Sequence, residues 1–317
     1  MNPTVKNIFL NAELQHTRAG WRIIIFLLIT MPISIGILFI FSPVLKFLPV
    51  FDNAAVKVLL GYAGITLGTW IVLRFIDRRP FEAVGLSLRS NVVRELGQGT
   101  LIGAGMMCFI FVVEYASGMV TIHFRELTTI EVLQTFGYSF VLYAAVGYGE
   151  ELLFRGYLFQ TFVEGTNKII ATLAVSLLFA LAHAWNPDVS IFSLINIALA
   201  GIWLSIAYFK TQSLWLPAGL HFSWNFTQGF VFSFPVSGTT SITEHIGTAV
   251  VSGPEWLTGG AFGPEGGALA TVILIAGTWY IYSSRSVFAA KGVWRIDQWR
   301  EDRRQQHLAQ QPVELQQ

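Results

Sequence analysis

Three short patterns combine residues able to activate water with residues able to stabilise the charge that results. The run Gly149-Glu150-Glu151-Leu152-Leu153-Phe154-Arg155-Gly156 sets two adjacent carboxylates one helical turn before an arginine. Glu151 and Arg155, four apart, share a helix face and can pair, while Glu150 is turned by about 100° and can point elsewhere. One carboxylate held by Arg155 and one left tunable is what a general base needs; a surface charge cluster at a membrane boundary is the competing reading. Phe179-Ala180-Leu181-Ala182-His183 puts a lone imidazole on an apolar helix, either a base or a satisfied core residue. In His221-Phe222-Ser223-Trp224-Asn225, the His and Asn face the same way and can donate to one point, as an oxyanion site requires. Hydrogen bonding between membrane helices would use the same pair.

The spacing of the elements argues that these groups meet. Glu150 lies 16 residues before Thr166 and His183 lies 17 after it. Antiparallel helices joined at that turn place both at nearly equal depth, roughly 24 Å from it at 1.5 Å per residue. A further helix starting near Ser213 runs the same way as the one bearing His183 and brings Asn225 to about 18 Å. Glu150, His183, His221 and Asn225 can therefore share one level inside a bundle, a coincidence that hydrolysis needs and a scaffold does not.

The bundle is membrane-embedded. Only 12% of the 317 residues are charged, against roughly 25% in soluble domains. Apolar residues reach 53% and mean hydropathy is +0.57, so the chain reads as all-α and polytopic. A net charge of +1 gives no support for a nucleic-acid partner, and the single Cys108 excludes an internal disulfide or a Cys-rich zinc cage. A window of about 20 apolar residues gives eight candidate spans: 23–45, 54–75, 97–118, 133–163, 168–186, 190–209, 213–232 and 266–284. The fourth is too long for a simple crossing and is expected to tilt or to run into the interface. The first is read as a retained helix, not a signal peptide.

With the N-terminus inside, 17 of the 20 Lys and Arg, from Lys6 through Arg89 to Arg300, Arg303 and Arg304, fall in cytoplasmic segments. Only Lys46, Lys57 and Arg125 fall outside or at an outer helix end, and the 233–265 connection carries Glu244, Glu255 and Glu265 with no basic residue. Eight spans with both termini cytoplasmic satisfy this bias at every loop. The domain reading is a cytoplasmic segment 1–22, a helical domain 23–284 whose motif core is 140–230, and a cytoplasmic tail 285–317 expected to form a short interfacial helix. Residues 76–96 are expected to lie along the cytoplasmic interface.

Weaker candidates stand apart from the three patterns. Glu114 reads as a solvated carboxylate near an outer helix end, and Asn196 as either lining the same cavity or bridging helices. His16, His123, His245 and His307 sit in polar stretches and are expected to be exposed; Trp21, Trp185, Trp215, Trp256, Trp294 and Trp299 suit interface anchors. The Gly-rich 258–267 run lacks the Lys of a phosphate loop.

Glu150-Glu151-x-x-x-Arg155, Phe179-x-x-x-His183 and His221-x-x-x-Asn225, in this order on successive helices, resemble the CPBP family, which includes the type II CAAX prenyl proteases and the bacterial Abi bacteriocin-processing or self-immunity proteins. The Arg79-Pro80-Phe81-Glu82 run with Gly85-Leu86 looks like the bacterial branch. The resemblance is specific over about 140–230. It implies an intramembrane endopeptidase in a cytoplasmic membrane that cuts near the end of a peptide or membrane-associated protein. It also implies that Glu150 with His183 activates water, that His221 and Asn225 stabilise the oxyanion, and that Glu151 and Arg155 order the site. The family is often called a metalloprotease, and a Zn²⁺ held by Glu150, His183 and His221 is the other reading. Direct Glu-His activation is preferred, because no His-Glu-x-x-His pair is present. A non-catalytic adaptor or bacteriocin self-immunity protein using the same cavity, and a proton-coupled transporter, are the competing functions; against the transporter, no internal repeat is found.

Overall fold

The computed structural model describes residues 10–11, 16–48, 53–88, 91–240, 245–295, 297–298, 301–302 and 305. Lys6, Arg89, Glu244, Trp299, Arg300, Arg303, Arg304 and His307 lie outside the described residues, as does much of the expected tail helix.

The chain is mostly helical. Among the described residues, eight helices of twelve residues or more follow one another: α1 Ala19–Leu45, α2 Ala54–Ile71, α3 Val92–Ala116, α4 Thr129–Glu151, α5 Lys168–Ala182, α6 Ile191–Thr211, α7 Trp215–Phe226 and α8 Ala268–Ser283. α2 continues through a π-helical turn to Asp77, α4 through another (Leu152–Leu158) to Gly165, and α7 through a third (Thr227–Val231). Helix starts follow the local sequence. Asn53 accepts from the Val56 N–H, Thr128 and Glu131 form a reciprocal capping box, Asn167 accepts from the Ile169 and Ile170 N–H groups, and Ser190 with Ser193 closes the start of α6.

Five of the eight, over 19–45, 54–77, 92–116, 129–165 and 191–211, are long and apolar enough to cross a membrane. α5, α7 and α8 are shorter, at 15, 12 and 16 residues. The 20-residue window adds flanking turns to α5 and α8, and to α7 the π turn that continues it. The long fourth stretch is a continuous 37-residue element interrupted only by its π turn.

Polarity is arranged for a lipid solvent. Large apolar side chains such as Leu28, Phe39, Leu101, Leu177 and Trp279 cover the outside, while Arg22, Glu95, Glu114, Glu151, Arg155, Asn196, His221 and Asn225 are buried within. α7 packs against both α3 and α4, α2 against α1 and α4, and α6 against α5 and α8. The α3–α7 approach needs glycine, since a Cβ at Gly99 would stand 2.5 Å from the Leu216 carbonyl oxygen and 2.8 Å from the Leu220 nitrogen. Outside the helices, β1 Val120–Phe124 pairs antiparallel with β2 Gly247–Val251, in register Ile122 to Ala249.

Three sequence expectations change. The 76–96 segment does not simply lie on a surface: Asp77, Arg79, Ala83 and Val84 are buried, and Leu88 is exposed. Asp77 and Arg79 are paired within the fold, Arg22 Nε donating to Asp77 Oδ1 at 2.8 Å and both Arg22 and Arg79 reaching Glu164. Glu114 is fully buried, and neither carboxylate oxygen has a hydrogen-bond partner among the described residues. His245 is half-buried with Nδ1 3.0 Å from the Gly229 carbonyl, whereas His123 is exposed. Trp21, Trp185 and Trp256 are exposed; Trp215 is half-buried and donates to the Ser87 carbonyl, and Trp294 lies beside the Arg79 guanidinium.

Candidate active site

The π turn after Glu151 fixes the first cluster. It carries Arg155, wholly buried, with Nη1 2.9 Å from Glu151 Oε1 and Nη2 3.3 Å from the Gly201 carbonyl of α6. The same Glu151 oxygen lies 3.0 Å from His221 Nδ1 on α7. Glu151 thus joins the α4 pair to α7, and Glu150 turns away from it. Glu150 Oε1 accepts from the Tyr62 hydroxyl of α2 at 3.2 Å, and Oε2 lies 3.9 Å from His221 Nε2.

Phe179 is the hub of the second pattern. Its ring stacks under the Arg155 guanidinium at 4.3 Å and meets the Phe154, His183 and His221 rings at 5.1, 4.9 and 6.0 Å. Its carbonyl lies 2.8 Å from His183 Nδ1 at the C-terminal end of α5. A carbonyl only accepts, so Nδ1 carries the proton and neutral His183 keeps its lone pair on Nε2. The helix end therefore fixes the tautomer while satisfying one of its own orphan carbonyls.

Glu150, His183, His221 and Asn225 line one cavity of about 220 Å³, walled by Leu142, Tyr143, Phe154, Asn186, Val236, Ser237 and Thr239. A smaller adjoining hollow of about 40 Å³ shares His183, His221 and Asn225, and has room for water. Arg155 and Glu151 stand behind the cavity and pin its walls.

The second wall holds residues that sequence reading missed. Glu265, placed by the sequence in an outer connection, is buried in the small hollow. It accepts from the Trp224 indole at 3.1 Å and from the Ser237 N–H and hydroxyl at 2.8 and 2.7 Å. Asn186 donates to the Ser237 carbonyl, so the 235–239 loop is fastened over the cavity from two sides. The only local signal for Glu265 is a carboxylate set among Gly263, Pro264, Gly266 and Gly267 directly before an apolar helix. Asn196 both lines the hollow and bridges: Nδ2 donates to the Glu265 and Gly267 carbonyls, and Oδ1 accepts from Thr271.

Among the described residues no three His, Cys, Asp or Glu side chains are grouped as metal ligands. His183 Nδ1 and His221 Nδ1 are engaged by the Phe179 carbonyl and by Glu151, the partners that orient an imidazole, which leaves the two Nε2 atoms and the Glu150 carboxylate as the donors at the cavity.

Buried carboxylates and imidazoles around one cavity in a helical membrane protein define the class by its chemistry: a polar site enclosed among apolar helices. Comparison adds a family match over part of the chain. Residues 131–227 match the model of the Rce1-like family, type II CAAX prenyl endopeptidase Rce1-like, and this segment carries Glu150, Glu151, Arg155, His183, His221 and Asn225. The resemblance drawn from the three patterns is borne out over that segment. The chain is also similar to the uncharacterized protein YyaK of Bacillus subtilis (strain 168), 25% identical over 149 residues. That match covers 47% of this chain and 47% of the relative, so about half of the relative's length is spanned. No solved structure matches the chain.

Proposed function

We propose that this chain is an intramembrane endopeptidase that hydrolyses a peptide bond near the end of a peptide or membrane-associated protein, using water activated by Glu150 and His183. The observation that carries the reading is the single cavity lined by Glu150, His183, His221 and Asn225 with Glu151 and Arg155 behind it. Glu150, assisted by the His183 Nε2 lone pair, takes a proton from water, and the hydroxide attacks the scissile carbonyl carbon. His221, as imidazolium, donates Nδ1–H to Glu151 and presents Nε2–H to the oxyanion, with the Asn225 amide as second donor. On collapse the C–N bond breaks, and the proton passes from the base to the departing amine, leaving a carboxylic acid and an amine. Arg155 keeps Glu151 oriented on His221.

The membrane arrangement proposed is eight helices in one domain, 23–284, with segments 1–22 and 285–317 cytoplasmic. Contacts within each assigned side support it. Arg22, Asp77, Arg79 and Glu164 cluster at one end. Lys168 pairs with Asp297, and Lys210 donates to the Tyr282 and Ser284 carbonyls on that side too. The two segments assigned to the other side, β1 and β2, pair with each other. The prenylated peptide class of the matching family is the first substrate to try.

In proteoliposomes, an internally quenched peptide ending in a farnesylated Cys-aliphatic-aliphatic-Met sequence, together with mapping of host membrane-protein termini, provides the assay. Glu150→Ala and His183→Ala are expected to abolish cleavage with the protein still folded. His221→Ala and Asn225→Ala each lower turnover on the order of 10²–10³. Substantial turnover by Glu150→Ala would remove Glu150 as the base, and a cellular phenotype unchanged by Glu150→Gln would replace catalysis with a binding role.

A further inference from the structure

We propose that Tyr62 is a positioning residue for catalysis: it fixes the Glu150 carboxylate in one orientation, and Gly149 is glycine so that it can. This rests on Glu150 being the base. The terminal torsion of a glutamate is broad and roughly two-fold, so a base on a helix needs a donor to select which oxygen faces the substrate. Tyr62, half-buried on α2, supplies that donor to Oε1 at 3.2 Å. Oε2 is thereby left on the cavity side, 3.9 Å from His221 Nε2, buried and with no hydrogen-bond partner among the described residues. That oxygen is the one free to take a proton from water.

The approach of Tyr62 depends on residue 149. A Cβ there would stand 2.0 Å from Tyr62 Cγ and Cδ1, inside the ring's own carbon skeleton, so any larger residue drives the ring away. The seam has a second tie one turn along, where the Thr66 hydroxyl bonds the Tyr148 hydroxyl at 3.1 Å and donates to the Tyr62 carbonyl at 2.8 Å. Tyr62, Thr66 and Tyr148 also line an outward-facing apolar groove of about 520 Å³ between α2 and α4. Only the Tyr62 tie touches a carboxylate of the catalytic cavity, so the seam offers its own control.

The test compares full-length Tyr62→Phe, Gly149→Ala and Thr66→Val with wild type on the farnesylated quenched peptide. Tyr62→Phe keeps the ring and is expected to lower kcat on the order of 10- to 100-fold with KM within about twofold and an unchanged melting temperature. Thr66→Val is expected to retain wild-type kcat, and Gly149→Ala combined with Tyr62→Phe should be no slower than Gly149→Ala alone. A wild-type kcat for Tyr62→Phe, or an equal loss in Thr66→Val, overturns the inference while leaving Glu150 as base, provided Glu150→Ala is inactive. Cleavage by Glu150→Ala instead removes the underlying reading. A second measurement needs no substrate: Tyr62→Phe and Glu150→Gln should be non-additive in detergent unfolding, and additive effects overturn the proposed contact.

Discussion

Arg155→Met isolates what the buried ion cluster contributes to the fold. Arg155 and Glu151 are both wholly buried, and the arginine is held by Glu151, by the Gly201 carbonyl and by the Phe179 ring. Methionine keeps the stem volume and removes the charge, leaving the Glu151 carboxylate with His221 as its side-chain partner among the described residues. Removing one partner of a buried pair costs about 3–5 kcal/mol, far above the 0–1 kcal/mol of an exposed pair. The lost ring contact, about 2 kcal/mol when desolvated, is part of that figure and not an addition to it. Equilibrium unfolding in mixed micelles, followed by the fluorescence of the ten tryptophans, gives the number. Neutralising the orphan should return part of the loss, so Arg155→Met with Glu151→Gln is expected to be more stable than Arg155→Met alone by at least about 1 kcal/mol. An Arg155→Met protein within about 0.5 kcal/mol of wild type, or a double variant less stable than the single, would refute the reasoning.

Two further outcomes follow from the second wall and the outer loops. Glu265→Gln turns an amide donor toward the Ser237 or Trp224 donors, and should cost about 1–3 kcal/mol in the same unfolding assay while speeding proteinase K cleavage within the 235–239 loop. Burial, with Arg125 nearby, holds His245 below its usual value, so it folds neutral while the unfolded chain protonates it below about pH 6.5. Its contribution to stability is present above that pH and lost as pH falls, and His245→Gln should flatten the decline in melting temperature between pH 7 and 5.

What the sequence made legible was whatever announces itself locally. Glu150, His183, His221 and Asn225 stand out because ionisable and amide groups are costly among apolar helices, and their distances from the Thr166 turn and Ser213 brought them to one level. The Thr128-x-x-Glu131 capping box is an equally local signal, lying just ahead of the start at 133 that the apolar window sets. Partnerships across long sequence separations were not. Arg79 meets Glu164 85 residues away, which is why the 76–96 segment folds inward, and Tyr62 meets Glu150 across 88. Glu265 escaped because an acidic residue in a Gly-rich connection looks solvated until Trp224 and Ser237 are seen to enclose it. The same blindness gave Glu114 to solvent when it is enclosed.

The brevity of α5 bears on the surrounding lipid. Fifteen residues rise only about 22 Å, roughly 8 Å less than an average hydrocarbon core. Acyl chains bordering that helix must dimple to meet its end, where His183 sits. The cavity that His183 lines is then approached beneath a local thinning instead of across a full leaflet. Membrane thickness becomes a variable of the proposed activity, with short-chain lipids easing, and long-chain lipids opposing, the deformation that brings the cavity to the surface.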